Sequence, residues 1–121
     1  MTFAIELMTW LNDDSKTQPV YLEFEENDVG VRATVSFKPV LNISPTAFGY
    51  THKEAIQGLR GQVVALSDAI RALERNHGTG MATIRNSDVL EDFTHSVEKN
   101  LWPLCIIEPS EFEKLKANAL A

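Results

Sequence analysis

The chain has 121 residues, a length that suits one domain with its own hydrophobic core. Its hydrophobic and charged fractions, 44% and 23%, are ordinary for a globular protein, so we expect no long disordered tract. The net charge of −6 lacks the basic footprint of a nucleic-acid-binding protein and favours a basic protein partner. No secretory signal opens the chain, no apolar run reaches the length of a membrane span, and one cysteine cannot form an internal disulfide. We therefore expect a cytoplasmic protein that binds neither membrane nor nucleic acid.

The first third of the chain changes its apolar period. In residues 2–12, Phe3, Leu7, Trp10 and Leu11 share one helical face, which predicts a short amphipathic helix. Two later segments alternate apolar and polar residues, which predicts half-buried strands. Their inward positions are Val20, Leu22, Phe24, Val31, Ala33, Val35 and Phe37.

The turn "NDVG" joins these two strands into a predicted hairpin, in which Glu23 or Glu25 faces Arg32. Pro39 cannot donate to a strand ladder, so residues 40–43 are predicted to form a new edge strand. Residues 44–50 are predicted to form a loop.

A long helix is predicted from Thr51, because Thr51 and Glu54 have the spacing of a capping box. It is predicted to end near Asn76, with Gly78 as the stop. One apolar stripe runs along it: Ile56, Leu59, Val63, Leu66, Ile70 and Leu73. Two glycines, Gly58 and Gly61, share another face, and each weakens a helix by about 1 kcal/mol. We expect them to allow close packing against another backbone, with a local kink as the alternative.

The last third is predicted to contain two more helices. Residues 81–85 are predicted to form a short strand, and Ser87 to cap a helix with Val89, Leu90, Phe93 and Val97 inward. Pro103 is predicted to end that element, residues 104–107 to form a buried strand, and Ser110 with Glu113 to cap a last helix. The predicted order is α-β-β-β-α-(β)-α-β-α in a single domain over residues 1–121. This is an α+β class: an antiparallel sheet of three or more strands with helices mainly on one face.

The residues that could carry chemistry do not converge in the sequence. The three histidines, His52, His77 and His95, lie in polar contexts without metal-ligand spacing. Cys105 lies in the apolar run "PLCII", which predicts a buried and unreactive thiol. The paired carboxylates Asp13–Asp14 and Glu25–Glu26 are predicted to be solvated, and no nucleotide-binding, hydrolase or metalloprotease motif is present. We therefore expect no catalytic residue, no metal and no cofactor.

Exposed aromatic residues beside acids indicate a contact surface instead. Tyr21 alternates with the inward residues of the first predicted strand, and so do its acidic neighbours. Phe48 and Tyr50 flank Gly49 before the long helix, although Phe48 could equally pack on Ala55 as a hydrophobic staple. The predicted partner-binding residues are Tyr21, Glu23, Glu25, Asp28, Phe48 and Tyr50.

Three motifs follow one another within residues 21–70: the turn "NDVG", the "FKP" that contains Phe37 and Pro39, and "GYTHKEA". The last of these contributes Gly49, Thr51, Glu54 and Ala55. Together they resemble the HicB-like antitoxin family, although the segment after Gly78 differs from that family's DNA-binding tail. The resemblance implies a compact sheet-plus-helix module that blocks a small basic toxin by direct contact. The implied role is also similar to that of bacterial toxin-immunity proteins.

The sequence thus predicts a non-catalytic protein-binding module, an inhibitor of a toxin or nuclease of immunity or antitoxin type. One alternative is a structural subunit that forms a homodimer through the long helical stripe. The other is a small enzyme that uses a carboxylate.

Overall fold

The computed structural model describes residues 1–11, 15–38, 40–77 and 87–121, of which residues 73–77 and 87 are described by their backbone alone. The described elements are β1 (Thr2–Leu11), β2 (Thr17–Glu26), β3 (Val31–Val35), β4 (Thr46–Gly49), α1 (His52–His77), α2 (Ser87–Cys105) and α3 (Pro109–Leu120). The four strands form one antiparallel sheet in the order β1-β2-β3-β4. The predicted α+β class is confirmed, whereas the predicted order of elements is wrong.

The helices form a layer on the sheet. Helix α1 packs against β3 and β4, α2 packs against α1 and β1, and α3 packs against β1. The inward residues of β2 and β3 meet the apolar faces of the helices in one core, as the alternating pattern predicts. None of the described helices combines the length and the apolar character that a bilayer span requires.

The prediction of a helix over residues 2–12 is wrong, because residues 2–11 form the edge strand β1. Its pairing with β2 is interrupted by a bulge between Glu6 and Met8. The extra residue shifts the inward positions by one, so Phe3 and Ile5 precede the bulge and Met8 and Trp10 follow it. Because of this shift, the apolar residues before and after the bulge are no longer spaced by two throughout, and their spacing resembles that of one face of a helix. The predicted Asp13–Asp14 pair lies outside the described residues.

The hairpin of β2 and β3 is confirmed. The Asn27 side chain accepts hydrogen bonds from the backbone N–H groups of Val29 and Gly30, at 2.8 and 3.0 Å. This is the local bonding that favours asparagine in turns. A side chain at Gly30 would collide with the backbone, since an added Cβ would lie 2.5 Å from the carbonyl oxygen of Gly49.

The predicted edge strand at residues 40–43 is wrong, and β4 lies in the segment predicted to be a loop. Val40 and Leu41 donate their backbone N–H groups to the carbonyl of Phe37, at 2.9 and 2.6 Å, which turns the chain. The returning backbone then pairs with β3 through Thr46–Gly49. Pro39, on which the prediction depended, lies outside the described residues.

Helix α1 begins as predicted. The N–H of Glu54 donates to Thr51 Oγ1 at 3.1 Å, and the Glu54 carboxylate accepts from the N–H of Tyr50 at 2.9 Å. Of the stripe, Ile56, Leu59, Val63 and Ile70 are buried and Leu66 is partly buried. The stripe therefore faces the protein's own core. The Leu73 side chain and the stop at Gly78 lie outside what the structure describes, as does the strand predicted at residues 81–85.

The two glycines of α1 differ from each other. A Cβ added at Gly58 would lie 3.2 Å from the Cβ of Ala47 on β4, whereas one added at Gly61 would meet no atom within 4 Å. The predicted close packing is confirmed at Gly58 and is wrong at Gly61.

The prediction that Pro103 ends an element is wrong, because α2 continues through it to Cys105. Leu101 and Cys105 are both buried on the inward face of this turn. Their burial outweighs the proline penalty, which is about 3 kcal/mol within a helix. The strand predicted at residues 104–107 is therefore absent from that segment.

Helix α3 is confirmed, but its N-cap is Glu108 rather than Ser110. Pro109 occupies the first turn, where its missing N–H has no cost. The carbonyl of Glu108 accepts the first helical bonds, from Glu111 and Phe112.

Candidate protein-binding face

The face of the sheet that points away from the helices carries the side chains that alternate with the core residues. We call it the open face. Before the bulge of β1, its members on the four paired strands are Thr2, Ala4, Glu6, Tyr21, Glu23, Glu25, Arg32, Thr34, Thr46 and Phe48, and beyond the bulge Thr9, Leu11, Thr17 and Pro19 continue the alternation. All of them except the half-buried Thr34 are exposed.

The open face is acidic, with three glutamates and one arginine. Glu25 faces Arg32 across β2 and β3, as one of the two predicted registers requires, and their charged groups lie 3.4 Å apart. Both side chains are about half exposed, so the pair contributes little to stability. Glu6 and Glu23 have no ion pair among the described residues. These two carboxylates remain available to a basic group from outside.

A shallow depression of about 430 Å³ lies on the open face. Thr2 and Ala4 of β1 line it on one side, and Glu23, Glu25 and Arg32 line it on the other. The depression exists because the β1 side chains here are short while those of β2 and β3 are long.

The exposed aromatic residues of the open face and its rim lie at two places, while Trp102, 48% exposed, lies on the helical side beneath the Arg60 guanidinium. Phe48 follows Arg32 across the sheet and extends over the bare backbone of Gly30, where an added Cβ would lie 2.7 Å from Phe48 Cζ. Tyr50 meets Phe48 edge to face, with ring centroids 6.3 Å apart. The predicted alternative, a staple of Phe48 on Ala55, is wrong, because Phe48 lies on the open face and Ala55 lies in the core. Tyr21 lies beside Glu6, farther along β2.

The structure therefore brings most of the predicted contact residues to one side of the molecule. Tyr21, Glu23, Glu25 and Phe48 are on the open face, and Asp28 and Tyr50 are at its rim, in the β2–β3 turn and directly after β4. Because β3 separates β2 from β4, Phe48 and the acids of β2 are two strand spacings apart, about 10 Å. Sequence reasoning missed Thr2, Ala4 and Glu6, although their alternation with Phe3 and Ile5 was a signal for a strand.

A charged cluster ties the end of β2 to the helices. Lys116 Nζ lies 2.6 and 3.0 Å from the two carboxylate oxygens of Glu26, and His52 Nε2 lies 3.5 Å from one of them. Partial burial opposes the ionisation of Glu26, but the hydrogen bond and charge of Lys116, helped by His52, prevail and lower the pKa of this carboxyl. The polar context predicted for His52 is therefore only part of its surroundings, because its ring also stacks on Phe112 at 4.5 Å.

Two grooves lie on the helical side. Ile56, Leu104, Ile107, Pro109 and Phe112 line an apolar groove of about 280 Å³ between the three helices. The second groove, between α1 and α2, is polar, and its cations have acidic neighbours. Arg60 Nε donates to Glu98 at 2.9 Å, and Arg71 Nε donates to Glu91 at 2.8 Å.

The side chains that could bind a metal or react with a thiol reagent are the histidines, the cysteine and the acids, so far as the structure describes them. No group of three or more His, Cys, Asp or Glu side chains converges within the described ranges. Cys105 is buried as predicted, although in a helix rather than a strand, and burial raises the pKa of its thiol. His95 Nε2 lies 2.7 Å from an Arg71 guanidinium nitrogen, and the side chain of His77 is not described.

Comparison of the chain with protein-family models, with curated proteins and with solved structures finds no match. The resemblance of residues 21–70 to the HicB-like antitoxin family therefore stays a prediction.

Proposed function

We propose that this protein is a non-catalytic protein-binding module that binds a basic protein through its open face. The observation that carries the proposal is the asymmetry of the sheet: one face is covered by helices, and the other presents unpaired carboxylates with exposed aromatic rings. Tyr21, Phe48 and Tyr50 are 45%, 50% and 78% exposed. In protein interfaces, aromatic side chains usually form the buried centre and polar or charged side chains form the surrounding rim.

The role that fits such a module is inhibition of a toxin or nuclease by direct contact, in the cytoplasm, as in antitoxins and immunity proteins. A nuclease has a basic active-site surface, and an acidic face can cover it and speed the encounter. The homodimer alternative has less support, because Ile56, Leu59, Val63 and Ile70 of the stripe that suggested it are buried in this chain's own core. The enzyme alternative needs a carboxyl group with a raised pKa. Among the side chains that the structure describes, the pKa values of Glu26 and Glu91 are instead lowered by their neighbouring cations.

The test is co-purification of the partner from the native host, followed by binding kinetics at two salt concentrations. Glu23→Lys with Glu25→Lys should slow association and weaken its salt dependence. Tyr21→Ala should mainly speed dissociation.

The matched control is Asp92→Lys with Glu113→Lys, which changes the net charge equally on the exposed surface of the helices. Circular dichroism verifies that each variant is folded. If the control loses binding and the open-face variants keep it, the partner binds the helical side and the proposal is wrong.

A further inference from the structure

The two edges of the sheet differ in whether their backbone groups are covered. The β4 edge is only four residues long, and the carbonyl of Thr46 accepts a hydrogen bond from Gln62 Nε2 at 2.6 Å. The β1 edge is ten residues long, and among the described strands β1 pairs with β2 alone. β1 contains neither lysine nor proline, which natural proteins commonly place on edge strands to prevent further pairing. Its bulge, another feature that disfavours further pairing, lies after Glu6 and leaves residues 2–6 regular.

The backbone groups that β1 leaves unpaired can be identified from its register. Met1 and Glu26 exchange two backbone hydrogen bonds, of 2.9 and 2.7 Å. Bonded and non-bonded pairs alternate along an antiparallel ladder, so Phe3 and Ile5 bond to β2. The N–H and C=O groups of Thr2 and Ala4 consequently point away from the sheet, as a further strand requires.

A strand added at this edge would place every second side chain on the open face, beside Thr2, Ala4 and Glu6. Ala4 is directly opposite Glu23. The added strand would be about 10 Å from β2, and the short Ala4 side chain leaves the depression open between them. A lysine or arginine opposite Ala4 can cross this gap to the unpaired carboxylate of Glu23. The intervening side chains would point toward the helical layer, beside Phe3 and Ile5.

We propose that the basic partner contributes an extended segment, with basic and apolar residues in alternation, that adds as a fifth strand to the outer edge of β1 at residues 2–6. This inference rests on the proposed function and specifies how the partner binds. Charge complementarity selects this occupant over a second copy of the chain, because antiparallel self-pairing would bring Glu6 and Glu23 of both copies onto one face.

The probe is a displayed library of random dodecapeptides, selected against the intact protein and then synthesised individually. Selected peptides should carry lysine or arginine at every second position. Their affinity should fall about tenfold with Ala4→Pro, which removes an outward N–H, and should also fall with Glu23→Gln. Ala4→Ser keeps the N–H and a short side chain, and serves as the matched control with unchanged affinity.

Amide hydrogen exchange reports the pairing directly. Peptide binding should slow exchange at Ala4, while Phe3 and Ile5 are already slow in the free protein. If Ala4→Pro does not fold, Ala4→Arg, which fills the depression at an exposed position, should weaken binding in its place.

The outcomes separate this inference from the proposed function. Some peptides could lose affinity with Glu23→Lys and Glu25→Lys but bind the Ala4→Pro variant as tightly as the parent. This result would mean that the partner binds the open face without pairing with the β1 edge, and it would overturn the inference alone. Selected peptides that lack alternating basic residues would likewise overturn the inference alone, whereas selected peptides insensitive to all of these substitutions would overturn both.

Discussion

The two glycines of α1 allow a matched test of how the long helix is seated on the sheet. Gly58→Ala and Gly61→Ala make the same chemical change three residues apart in one helix. Each should gain about 1 kcal/mol from helix propensity alone. Their surroundings differ, because a Cβ at Gly58 would approach Ala47 at 3.2 Å and one at Gly61 would point into open space.

The expected free energies of unfolding follow from that difference. Gly61→Ala should stabilise the protein by about 1 kcal/mol, which corresponds to a rise in Tm of about 4 °C for a domain of this size. At Gly58 the helix must move from β4 by a few tenths of an ångström, and overpacking costs about 1–3 kcal/mol. Gly58→Ala should therefore give between no gain and a loss of about 2 kcal/mol.

Chemical denaturation monitored by circular dichroism measures both values, and a double-mutant cycle with Ala47→Gly isolates the contact. In the Ala47→Gly background, Gly58→Ala should recover the gain seen at Gly61. If Gly58→Ala stabilises the otherwise unchanged protein as much as Gly61→Ala does, then α1 does not contact β4 as described, and the reasoning is refuted.

Three further predictions concern a cap, a thiol and an ion pair. Thr51→Ala should lower the free energy of unfolding by about 1 kcal/mol, and Thr51→Gly should lower it less. If Thr51→Ala costs less stability than Thr51→Gly, the capping role is contradicted. Cys105 should react with a thiol reagent only in denaturant, so rapid labelling of the native protein at pH 7 would disprove its burial. The pKa of Glu26 lies below its ordinary value of 4.5, so its pairing with Lys116 stabilises the protein above that pH and ceases to do so as the carboxyl is protonated in the fold. Lys116→Met should therefore destabilise the protein near neutrality, and a stability difference from the parent that persists unchanged into acid would exclude this linkage.

The hairpin shows how far local pattern can predict the fold. The alternation in β2 and β3, with an asparagine-containing turn between them, was sufficient to predict that Glu23 or Glu25 faces Arg32, and the structure selects Glu25. Side-chain period and turn chemistry are local properties, so a single sequence carries them. The capping box at Thr51 belongs to the same class.

The candidate site was only partly predictable. The outward direction of Tyr21, Glu23 and Glu25 follows from their alternation with core residues. Their distance from Phe48 depends on the strand order. The contribution of Ala4 and Glu6 depends on β1, whose apolar spacing predicted a helix instead of a strand.

The sequence by itself determined the hairpin, the start of α1 and the acidic character of the surface, because each depends on neighbours within a few residues. Tertiary structure decided that residues 2–11 form a strand, that β4 lies at Thr46–Gly49 rather than at residues 40–43, and that α2 continues through Pro103. In each case distant partners prevail over a local preference: β2 pairs with β1 across a bulge, β3 binds the returning backbone, and burial of Leu101 and Cys105 offsets the proline. Tertiary structure also decided which outward side chains share one surface, because the strand order brings Phe48 and the acids of β2 onto the same uncovered face of the sheet.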